Sequence, residues 1–428
     1  MDRLLRLIYS VIFYLLTPFI LVRLLYRAIK APAYRSRWAQ RFGFVSSVPT
    51  NKQLIWLHAV SVGETLAAVP LVKALQEKYS DHRLIVTCMT PTGSERIRAA
   101  FGDSVDHSYA PYDMPDSVAR FLNHVKPKIL IIMETELWPN IIAACHKRNI
   151  PVVLANGRLS KKSANAYERI QPLVRPMLGQ LTAVAAQHKD DGARFTELGL
   201  AESALTVTGN IKFDLSLNQV TKQKAEHLLI DWRGSCDRPI LLAASTHRGE
   251  DEIILEAFTK IKDQINNPLL VLVPRHPERF NQVAELCSAA GFSVAKRSAK
   301  DLVGSADILL GDTMGELMAF FGACDIAFVG GSLVPTGGHN MIEPAAWGVP
   351  VLTGPHLFNF SEASQLLLKG DAMLICNNAD QLAEHSTELF QNQHRRAEMG
   401  SSARRIAEAN RGALGKLVAL IERTINAI

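Results

Sequence analysis

The stretch Phe328–Phe360, FVGGSLVPTGGHNMIEPAAWGVPVLTGPHLFNF, decides the fold of this chain. Its pattern predicts a strand, a glycine turn at Gly330–Ser332, a second glycine-bearing loop at Gly338–Asn340, and then a helix. A loop without side-chain bulk and the positive end of a helix together form an anion site. Glu343 would lie one turn into that helix, where its carboxylate would accept hydrogen bonds from ribose hydroxyls. The stretch therefore predicts a bound nucleotide that carries a sugar.

Both halves of the chain alternate short apolar strands with amphipathic helices, which is typical of parallel sheets covered by helices on both faces. Six strands are predicted before the polar segment 216–237 and six after it. Because 428 residues exceed what one hydrophobic core usually holds, we expect two domains. The predicted fold class is α/β, with two Rossmann-like domains facing a central cleft. The predicted boundaries are residues 1–30 for an N-terminal segment, 31–218 for the first domain and 219–428 for the second.

Positive charge is concentrated at the N-terminus. The net charge is +6, but the first fifty residues hold eight Lys and Arg residues against one acid, Asp2. The rest of the chain is therefore nearly neutral, which is not the balance of a nucleic-acid-binding protein. The six cysteines are scattered without a CxxC pair, which argues against a disulfide framework and a zinc site and favours a reducing compartment.

An uncharged segment of sixteen residues, LIYSVIFYLLTPFILV, lies between Arg6 and Arg23. As a helix it would be about 24 Å long, short of the roughly 30 Å hydrocarbon core of a bilayer. Basic residues are more numerous after it than before it, which predicts that the body of the protein is cytoplasmic. A cleaved signal peptide is disfavoured because Pro32 follows a basic segment. A buried core helix is the alternative to our expectation, a membrane-anchoring helix that spans the membrane or lies in its plane.

Carboxylates follow the predicted strands of the first domain. Glu64 comes directly after the first strand, where it would serve as the general base that accepts a proton from an attacking hydroxyl. Its alternative role is to complement the dipole at a helix N-terminus. Glu134 and Glu136 follow the third strand and would raise each other's pKa, or one of them would pair with Arg158. Lys212 would contact an acidic sugar or a phosphate, unless it is a solvated linker residue.

Potential phosphate contacts follow the strands of the second domain. The segments STHRGED, PRHPERF and GDTMGEL each join a strand end to a helix, where backbone N–H groups and an arginine fork bind anions. With the glycine stretch they supply the predicted nucleotide-binding residues, which are Ser245, Thr246, Arg275, His276, Pro277, Gly311, Asp312, Gly330, Gly331, Ser332, Gly338, His339, Asn340 and Glu343. No P-loop, GxSxG or HExxH sequence is present, and no GxGxxG follows the first strand. The remaining pattern suits transfer of a group from a nucleotide donor to a hydroxyl acceptor.

The segments SVGE, ETELWPN, NGRLS, GNIKFD, RHPERF, GDTMGEL and FVGGSLVPTGGHNMIEP occur in this order. Together they resemble the 3-deoxy-D-manno-octulosonic acid (Kdo) transferases of lipopolysaccharide assembly, over essentially the whole chain. The resemblance implies a GT-B, inverting glycosyltransferase that moves Kdo from CMP-Kdo to lipid IVA, the lipid A precursor. It also implies an inner-membrane location on the cytoplasmic side, and a reaction that needs no bound metal or other cofactor.

The same resemblance implies roles for the candidate residues. Glu64 would be the catalytic base, and Glu134, Glu136, Arg158 and Lys212 would bind substrate in an acceptor domain. The second domain would bind the donor, and the positive helix end near Asn340 would stabilise the single leaving phosphate of CMP without Mg²⁺. Two successive transfers are expected, although no motif encodes that number. A GT-B-like sugar-nucleotide epimerase and a non-catalytic lipid-carrier-binding protein are the alternatives from other classes.

Overall fold

The computed structural model describes residues 2–45, 52–215, 217–234, 237–299, 301, 303–304 and 306–427. The chain divides into two compact units, which we call unit 1 (Met1–Asp214 and Arg411–Ile428) and unit 2 (Leu215–Asn410). Within the described residues, each unit contains a parallel sheet of seven strands. The predicted α/β class with two parallel-sheet domains is therefore confirmed.

Unit 1 is built on a parallel sheet with the strand order β3-β2-β1-β4-β5-β6-β7. Its strands are β1 (Leu54–His58), β2 (Arg83–Cys88), β3 (Asp106–Tyr109), β4 (Ile129–Met133), β5 (Val152–Gly157), β6 (Ala183–Ala186) and β7 (Leu205–Val207). Along β1, Ile55 and Leu57 belong to the core on one face of the sheet, whereas Leu54 and Trp56 belong to the core on the other. Burial on both faces explains why the parallel strands have near-continuous apolar sequences.

Helices cover both faces of this sheet. They are α1 (Asp2–Lys30), α2 (Trp38–Arg41), α3 (Val62–Lys78), α4 (Pro91–Phe101), α5 (Pro115–Val125), α6 (Pro139–Lys147), α7 (Lys161–Glu168), α8 (Gln171–Leu178) and α9 (Lys189–Glu197), with α10 to α17 in unit 2 and α18 (Ala413–Asn426) at the end of the chain. Helix α18 packs into the core of unit 1 through Leu417 and Ile421. The predicted second domain, 219–428, is therefore corrected at its end. Residues 411–428 belong to unit 1 because the apolar face of α18 is buried there.

Unit 2 is built on a second parallel sheet, with the order β10-β11-β9-β8-β12-β13-β14. Its strands are β8 (Ile240–Thr246), β9 (Leu269–Pro274), β10 (Val294–Lys296), β11 (Ile308–Leu310), β12 (Ile326–Val329), β13 (Val351–Thr353) and β14 (Met373–Ile375). Its helices are α10 (Gln219–Arg233), α11 (Asp251–Lys262), α12 (Phe280–Ala289), α13 (Leu317–Phe321), α14 (Ile342–Trp347), α15 (Ser361–Lys369), α16 (Ala379–Gln391) and α17 (Gln393–Ala409). The carboxyl ends of the central strands β9, β8 and β12 meet at one edge of this sheet, where such folds bind ligands.

Three elements lie outside the predicted set. Strands β3 and β14 each lie at one edge of a sheet and are short, and β3 has the polar sequence DHSY, which hides its strand character. Helix α10 occupies most of the polar segment 216–237, which the sequence predicts as a domain boundary. Ala225, Leu228 and Trp232 are buried from one face of α10 in the core of unit 2. Residues 216, 235 and 236 of that segment lie outside the described residues.

Helix α1 has 29 residues and is about 43 Å long. Among the described residues it is long and apolar enough to cross a membrane. One side contacts the rest of unit 1: the amide nitrogen of Asn140 donates to buried Ser10 Oγ (3.0 Å), and the Tyr14 hydroxyl donates to Asp116. Its exposed large apolar side chains are Leu4, Leu7, Ile8, Val11, Ile12, Tyr14, Leu15, Leu16, Phe19, Val22, Leu25, Tyr26 and Ile29. This exposure contradicts the alternative of a buried core helix.

Candidate active site

Glu64 lies at the start of α3, directly after the carboxyl end of β1. Ser61 caps α3, because its hydroxyl oxygen accepts the N–H of Glu64 (3.2 Å) while its O–H donates to Glu64 Oε1 (2.6 Å). The other carboxylate oxygen accepts the N–H of Val60 (2.8 Å). This reciprocal capping box is what the sequence Ser-x-x-Glu favours. The structural role that we consider as the alternative for Glu64 is therefore present, and it holds the carboxylate in one orientation.

The electrostatic surroundings of Glu64 suit a general base. Its side chain is 7% exposed, and this burial raises the pKa of its carboxyl from 4.5 to about 7. The hydrogen bonds from Ser61 and Val60 oppose that rise, and the negative charges of Glu136 and Glu134 add to it. A base works best when its pKa lies near the working pH, since it is then both deprotonated and able to hold a proton. The predicted catalytic role of Glu64 stays a prediction that this environment fits.

Glu134 and Lys212 form an ion pair beside Glu64. Lys212 Nζ lies 3.0 Å from Glu134 Oε1, and both side chains are about one quarter exposed. Glu134 follows β4 directly and has a left-handed backbone, with φ of 55°, so the strand does not continue through it. Such a conformation persists where the surrounding structure imposes it, and it occurs often at functional sites. Lys212 is therefore a partner of the carboxylate loop and not a solvated linker residue.

Glu136 and Arg158 belong to the same group of loops. Burial raises the pKa of Glu136, against the hydrogen bond that Trp138 Nε1 donates to its carboxylate at 3.0 Å. The carbonyl oxygen of Arg158 accepts the hydroxyl of Thr135 (2.7 Å), which joins the loop after β5 to the loop after β4. Glu134, Glu136, Arg158 and Lys212 thus lie on adjoining strand-end loops of unit 1. The negative charges of Glu134 and Glu136 raise the pKa of Glu64.

In unit 2, the glycine turn after β12 encloses a carboxylate from its own chain. Glu250 is fully buried, and its carboxylate accepts the N–H groups of His247 (2.8 Å), Gly331 (2.7 Å), Ser332 (2.9 Å) and Leu333 (2.9 Å). Four N–H groups directed at one carboxylate form an anion nest. The sequence therefore predicts an anion-binding turn correctly, but the structure fills that turn with Glu250. The predicted contact of these N–H groups with a phosphate is corrected accordingly.

Beyond that turn lies a cluster of histidines. His247 Nε2 and His339 Nε2 share a hydrogen bond of 2.8 Å with their rings stacked, and the ring of His276 meets that of His247 edge-on at 5.3 Å. Burial lowers the pKa of His339 to about 3, and the positive charge of Arg275 lowers it further. His339 is therefore neutral near pH 7, and its uncharged imidazole lies next to the cation of Arg275.

Glu343 and Asn340 complete this cluster. Burial raises the pKa of Glu343 to about 7, against the hydrogen bond from the Asn340 amide nitrogen (3.1 Å) and the charge of Arg275. The Asn340 carbonyl oxygen accepts the N–H of Ile342 at the start of α14. The structure therefore brings together Arg275, His276, His339, Asn340 and Glu343 at the carboxyl ends of β9 and β12.

Comparison with known proteins identifies the family. The family model for 3-Deoxy-D-manno-octulosonic-acid transferase (kdotransferase) matches residues 36–215. The 3-deoxy-D-manno-octulosonic acid transferase of Haemophilus influenzae is 44% identical over 420 residues, which cover 97% of this chain and 98% of that protein. The chain belongs to the 3-deoxy-D-manno-octulosonic acid transferase family. The transferase of Bordetella pertussis is 36% identical over 86% of each chain. The predicted family and the predicted glycosyltransferase class, with Kdo transfer in lipopolysaccharide synthesis, are therefore confirmed.

Solved structures of remote relatives have the same fold. A UDP-GlcNAc 2-epimerase from Neisseria meningitidis is 14% identical, with a TM-score of 0.58 over 87% of this chain and 100% of that one. A glycosyltransferase from Rickettsia africae is 17% identical, with a TM-score of 0.55 over 88% and 99%. At such identities the likeness shows the fold alone. It confirms the predicted two-domain GT-B class for this Kdo transferase.

Several predicted nucleotide-binding residues of this Kdo transferase have structural partners. The Thr246 hydroxyl donates to Asp251 (2.6 Å), and the Ser332 hydroxyl donates to the carbonyl of Val329 (2.6 Å). Asp312 accepts hydrogen bonds from the N–H (2.7 Å) and the hydroxyl (2.5 Å) of Ser298. These side chains are thereby already engaged within unit 2, which sequence spacing does not reveal.

The remaining predicted residues contribute through the backbone. A Cβ on Gly330 would lie 2.8 Å from the carbonyl oxygen of Ser245, whose own φ is 58°. Gly338 has a φ of 76° and donates its N–H to the carbonyl of Gly331 (2.7 Å), so it ties the two glycine loops together. The other two are Gly311, where a Cβ would meet Val273, and Pro277, which begins the 3₁₀-helix Pro277–Arg279.

Sequence reasoning misses a buried polar group in unit 1. His58 is fully buried at the end of β1, where Nδ1 lies 3.0 Å from Thr87 Oγ1 and burial lowers the pKa of the imidazole to about 4. Asn156, with φ of 54°, accepts the N–H of Ile211 through its side-chain oxygen (3.1 Å) and so fixes the loop that carries Lys212. A polar residue at the end of an apolar strand is the signal that could have found both.

In the part of the chain that the structure describes, no group of three or more His, Cys, Asp or Glu side chains has the arrangement of a metal site. The sequence-based expectation that transfer needs no bound metal stays a prediction.

Proposed function

We propose that this chain transfers Kdo from CMP-Kdo to a hydroxyl of the lipid A precursor lipid IVA, with inversion at the anomeric carbon. The observation that carries the proposal is the Glu64 carboxyl, which is fixed at the end of β1 with a pKa of about 7. Membership of the Kdo transferase family indicates that the transferred sugar is Kdo. An oriented carboxylate whose pKa lies near 7 can accept the proton that the acceptor hydroxyl loses as it attacks.

In the proposed reaction, Glu64 accepts the proton of the acceptor hydroxyl as the oxygen attacks the anomeric carbon of Kdo. The bond from that carbon to the phosphate oxygen breaks, and CMP leaves with the bonding electrons. A single displacement inverts the anomeric configuration. Lys212 forms an ion pair with Glu134 beside Glu64. The ammonium group compensates much of the charge of Glu134, so that Glu134 raises the pKa of Glu64 less than an unpaired carboxylate would.

On the donor side, we assign CMP to the group around Arg275, His339, Asn340 and Glu343. The guanidinium of Arg275 is the cation that would balance the phosphate as its charge grows. The neutral imidazole of His339 donates or accepts a hydrogen bond without adding a charge that would retain CMP after transfer. Glu343 would accept ribose hydroxyls. Because CMP has a single phosphate, the proposal includes no bound metal, and excess EDTA should leave the rate of transfer unchanged.

The membrane contact is assigned to α1, lying in the plane of the cytoplasmic leaflet of the inner membrane. Ser10 accepts a hydrogen bond from Asn140 and Tyr14 donates one to Asp116, so these contacts with the rest of unit 1 lie about one helical turn apart. A spanning helix would draw Asn140 and Asp116 into the hydrocarbon, where polar groups are costly. An in-plane helix instead buries its apolar face in the lipid and leaves these contacts intact.

The proposal is tested by incubating the full chain with CMP-Kdo and lipid IVA, with CMP release and the mass of the lipid measured together. We expect one CMP for each Kdo added, and two Kdo residues per lipid after exhaustive reaction. Absence of CMP release would reject the function, and a product that stops at one Kdo would reject only the second transfer. Interconversion of a nucleotide sugar without a lipid product would favour the epimerase alternative.

A further inference from the structure

Two arginines beside the loop of Glu64 have no carboxylate partner among the described residues. The guanidinium carbons of Arg37 and Arg41 lie 4.3 and 4.2 Å from the centre of the Tyr109 ring. Arg41 is only 2% exposed, it donates to the carbonyl of Met89 (3.0 Å), and its Nε has no hydrogen-bond partner in the described part of the chain. Both cations thus contact one aromatic ring, and a buried cation without a carboxylate partner is stabilised by an anion.

Helix α4 begins at the same position. Thr90 caps it by accepting the N–H of Gly93 (3.1 Å), and Met89, whose carbonyl binds Arg41, immediately precedes that cap. Pro91 has no N–H and Gly93 donates to Thr90, so it is the positive end of the helix dipole that favours a negative charge at this turn. The N-terminus of α4 and the two guanidinium groups thus produce a positive potential next to Met89 and Thr90.

Arg37 is held rigidly at this place. Its guanidinium donates to Ser94 Oγ, which lies 2.8 Å from His107 Nε2, while His107 Nδ1 lies 2.8 Å from the carbonyl oxygen of Val86. Burial lowers the pKa of His107 to about 4, so the ring is neutral: Nδ1–H donates to Val86, and Nε2 accepts the Ser94 hydroxyl. Arg37 also has a left-handed backbone, with φ of 56°, and it is partly exposed. A fixed, strained and accessible cation is suited to binding a ligand.

This arginine cluster adjoins the loop of Glu64. Strands β1 and β2 pair along their length, and beyond them the N–H of Met89 donates to the carbonyl of Val60 (3.3 Å). The N–H of the same Val60 donates to the Glu64 carboxylate. Adjacent strands are about 5 Å apart. The loop that binds Arg41 through Met89 is therefore the direct neighbour of the loop that orients Glu64.

We propose that Arg37, Arg41 and the N-terminus of α4 bind a phosphate monoester on the acceptor saccharide and thereby hold its hydroxyl against Glu64. The inference rests on the proposed function, because the lipid A precursor is a phosphorylated glucosamine disaccharide. It adds a positioning site for the acceptor, separate from the site for the donor phosphate in unit 2. Arg37 makes the direct contact, and buried Arg41 supports it through its charge and through Met89.

The test compares acceptors with and without phosphate. For Arg37→Gln we expect the KM for phosphorylated lipid IVA to rise about tenfold to a hundredfold, as expected for loss of a charge-assisted hydrogen bond, with the KM for CMP-Kdo unchanged. With a phosphatase-treated acceptor, the wild type and Arg37→Gln should have equal KM values, and Arg37→Lys should be intermediate on the phosphorylated acceptor. Equal losses on both acceptors would overturn the inference, since they would indicate a structural role.

Arg83→Gln is the matched control, because Arg83 pairs with Asp106 at the opposite end of β2. A second measurement is independent of transfer: the full chain is titrated with glucosamine 1-phosphate and with glucosamine, and binding is followed by saturation-transfer NMR. We expect a signal for the phosphate only, and its loss in Arg37→Gln. Phosphate binding without Kdo transfer would reject the proposed function but keep this site. Transfer without any phosphate dependence would reject the site alone.

Discussion

The carboxylate of Glu250 accepts the N–H of Gly331 at 2.7 Å and so occupies the glycine turn that follows β12. It also accepts three other N–H groups, so one buried negative charge holds the start of α11 against the loop after β12. Hydrogen bonds to a charged group contribute about 1.5–3 kcal/mol each, and leaving buried donors without partners costs more than the bonds provide. The geometry of the histidine cluster therefore depends on Glu250.

We expect Glu250→Gln to lower the melting temperature of unit 2 and to raise the KM for CMP-Kdo, because the amide group of Gln would direct N–H donors at N–H donors. A loss of roughly 2–4 kcal/mol is expected from the four affected bonds. Calorimetry and steady-state kinetics measure the two effects. Glu252→Gln, an exposed position two residues away, is the control and should change neither. An unaltered melting temperature in Glu250→Gln would contradict this account of the turn.

Glu64→Gln separates the two roles of Glu64. Glutamine also forms capping boxes, so α3 should remain intact and the melting temperature nearly unchanged. It cannot accept the proton, so kcat should fall by about 10²–10⁴-fold with little change in the KM of either substrate. Circular dichroism and initial rates check both statements. A Glu64→Gln variant with near wild-type kcat would leave the residue with its capping role only.

The pH dependence of transfer should follow the carboxyl of Glu64. Its pKa is raised to about 7, so kcat/KM should fall tenfold for each pH unit below that value and level off above it. Ser61→Ala removes a hydrogen bond that stabilises the carboxylate, so it should move this acid limb to higher pH. The linked effect on stability has the opposite sign: the folded pKa exceeds the unfolded one, so this contribution is complete below about pH 4.5 and is lost as the pH rises through 7. An acid limb that Ser61→Ala does not move would assign the limb to another group.

Lys212→Gln should change the same profile. Without the ammonium, the charge of Glu134 is no longer compensated, and that charge raises the pKa of Glu64. We therefore expect the acid limb to move to higher pH by up to about one unit, together with a lower rate at pH 7. Lys161→Gln, at an exposed position that begins α7, is the control and should leave the profile unchanged. If Lys212→Gln alters only the KM for substrate, then Lys212 acts on the sugar and not through Glu134.

Charge on the exposed face of α1 should release the protein from membranes. Leu15 and Phe19 are 68% and 72% exposed, and we expect the double change Leu15→Glu and Phe19→Glu to move most of the chain to the soluble fraction after sedimentation. Val220→Glu, an equally exposed apolar position on α10, is the control and should stay with the membrane. Retention of the double variant in the pellet would contradict lipid contact through this face.

Labelling distinguishes an in-plane from a spanning α1. Cysteines introduced at Leu4 and Ile29, near its two ends, should both react with an impermeant maleimide in inverted inner-membrane vesicles and not in intact spheroplasts. Reaction of the Leu4→Cys variant in spheroplasts would instead indicate a spanning helix.

Much of the fold follows from local sequence. The apolar runs of β1, β4 and β12, each followed by a polar or glycine-bearing loop and a helix, predict parallel sheets and the edges at which ligands bind. The predictions fail where local polarity and tertiary burial disagree. The segment that forms α10 is predicted as a domain boundary because most of its residues are polar, although three of its side chains are buried in the core of unit 2. The return of α18 to unit 1 depends on a surface formed about two hundred residues earlier in the chain, which no local pattern contains.

The candidate site divides in the same way. The sequence by itself determined the family, the glycines that close backbone contacts require, the strand-end positions of Glu64 and Arg275, and the position of Glu343 in the helix after the glycine loops. Only the tertiary structure decided which charges meet: Glu250 with the glycine turn, Lys212 with Glu134, and Arg37 with the start of α4. The physical reason is that backbone conformation and burial follow from nearby residues, whereas the pKa and partner of a charged group depend on whatever the fold brings within a few ångströms.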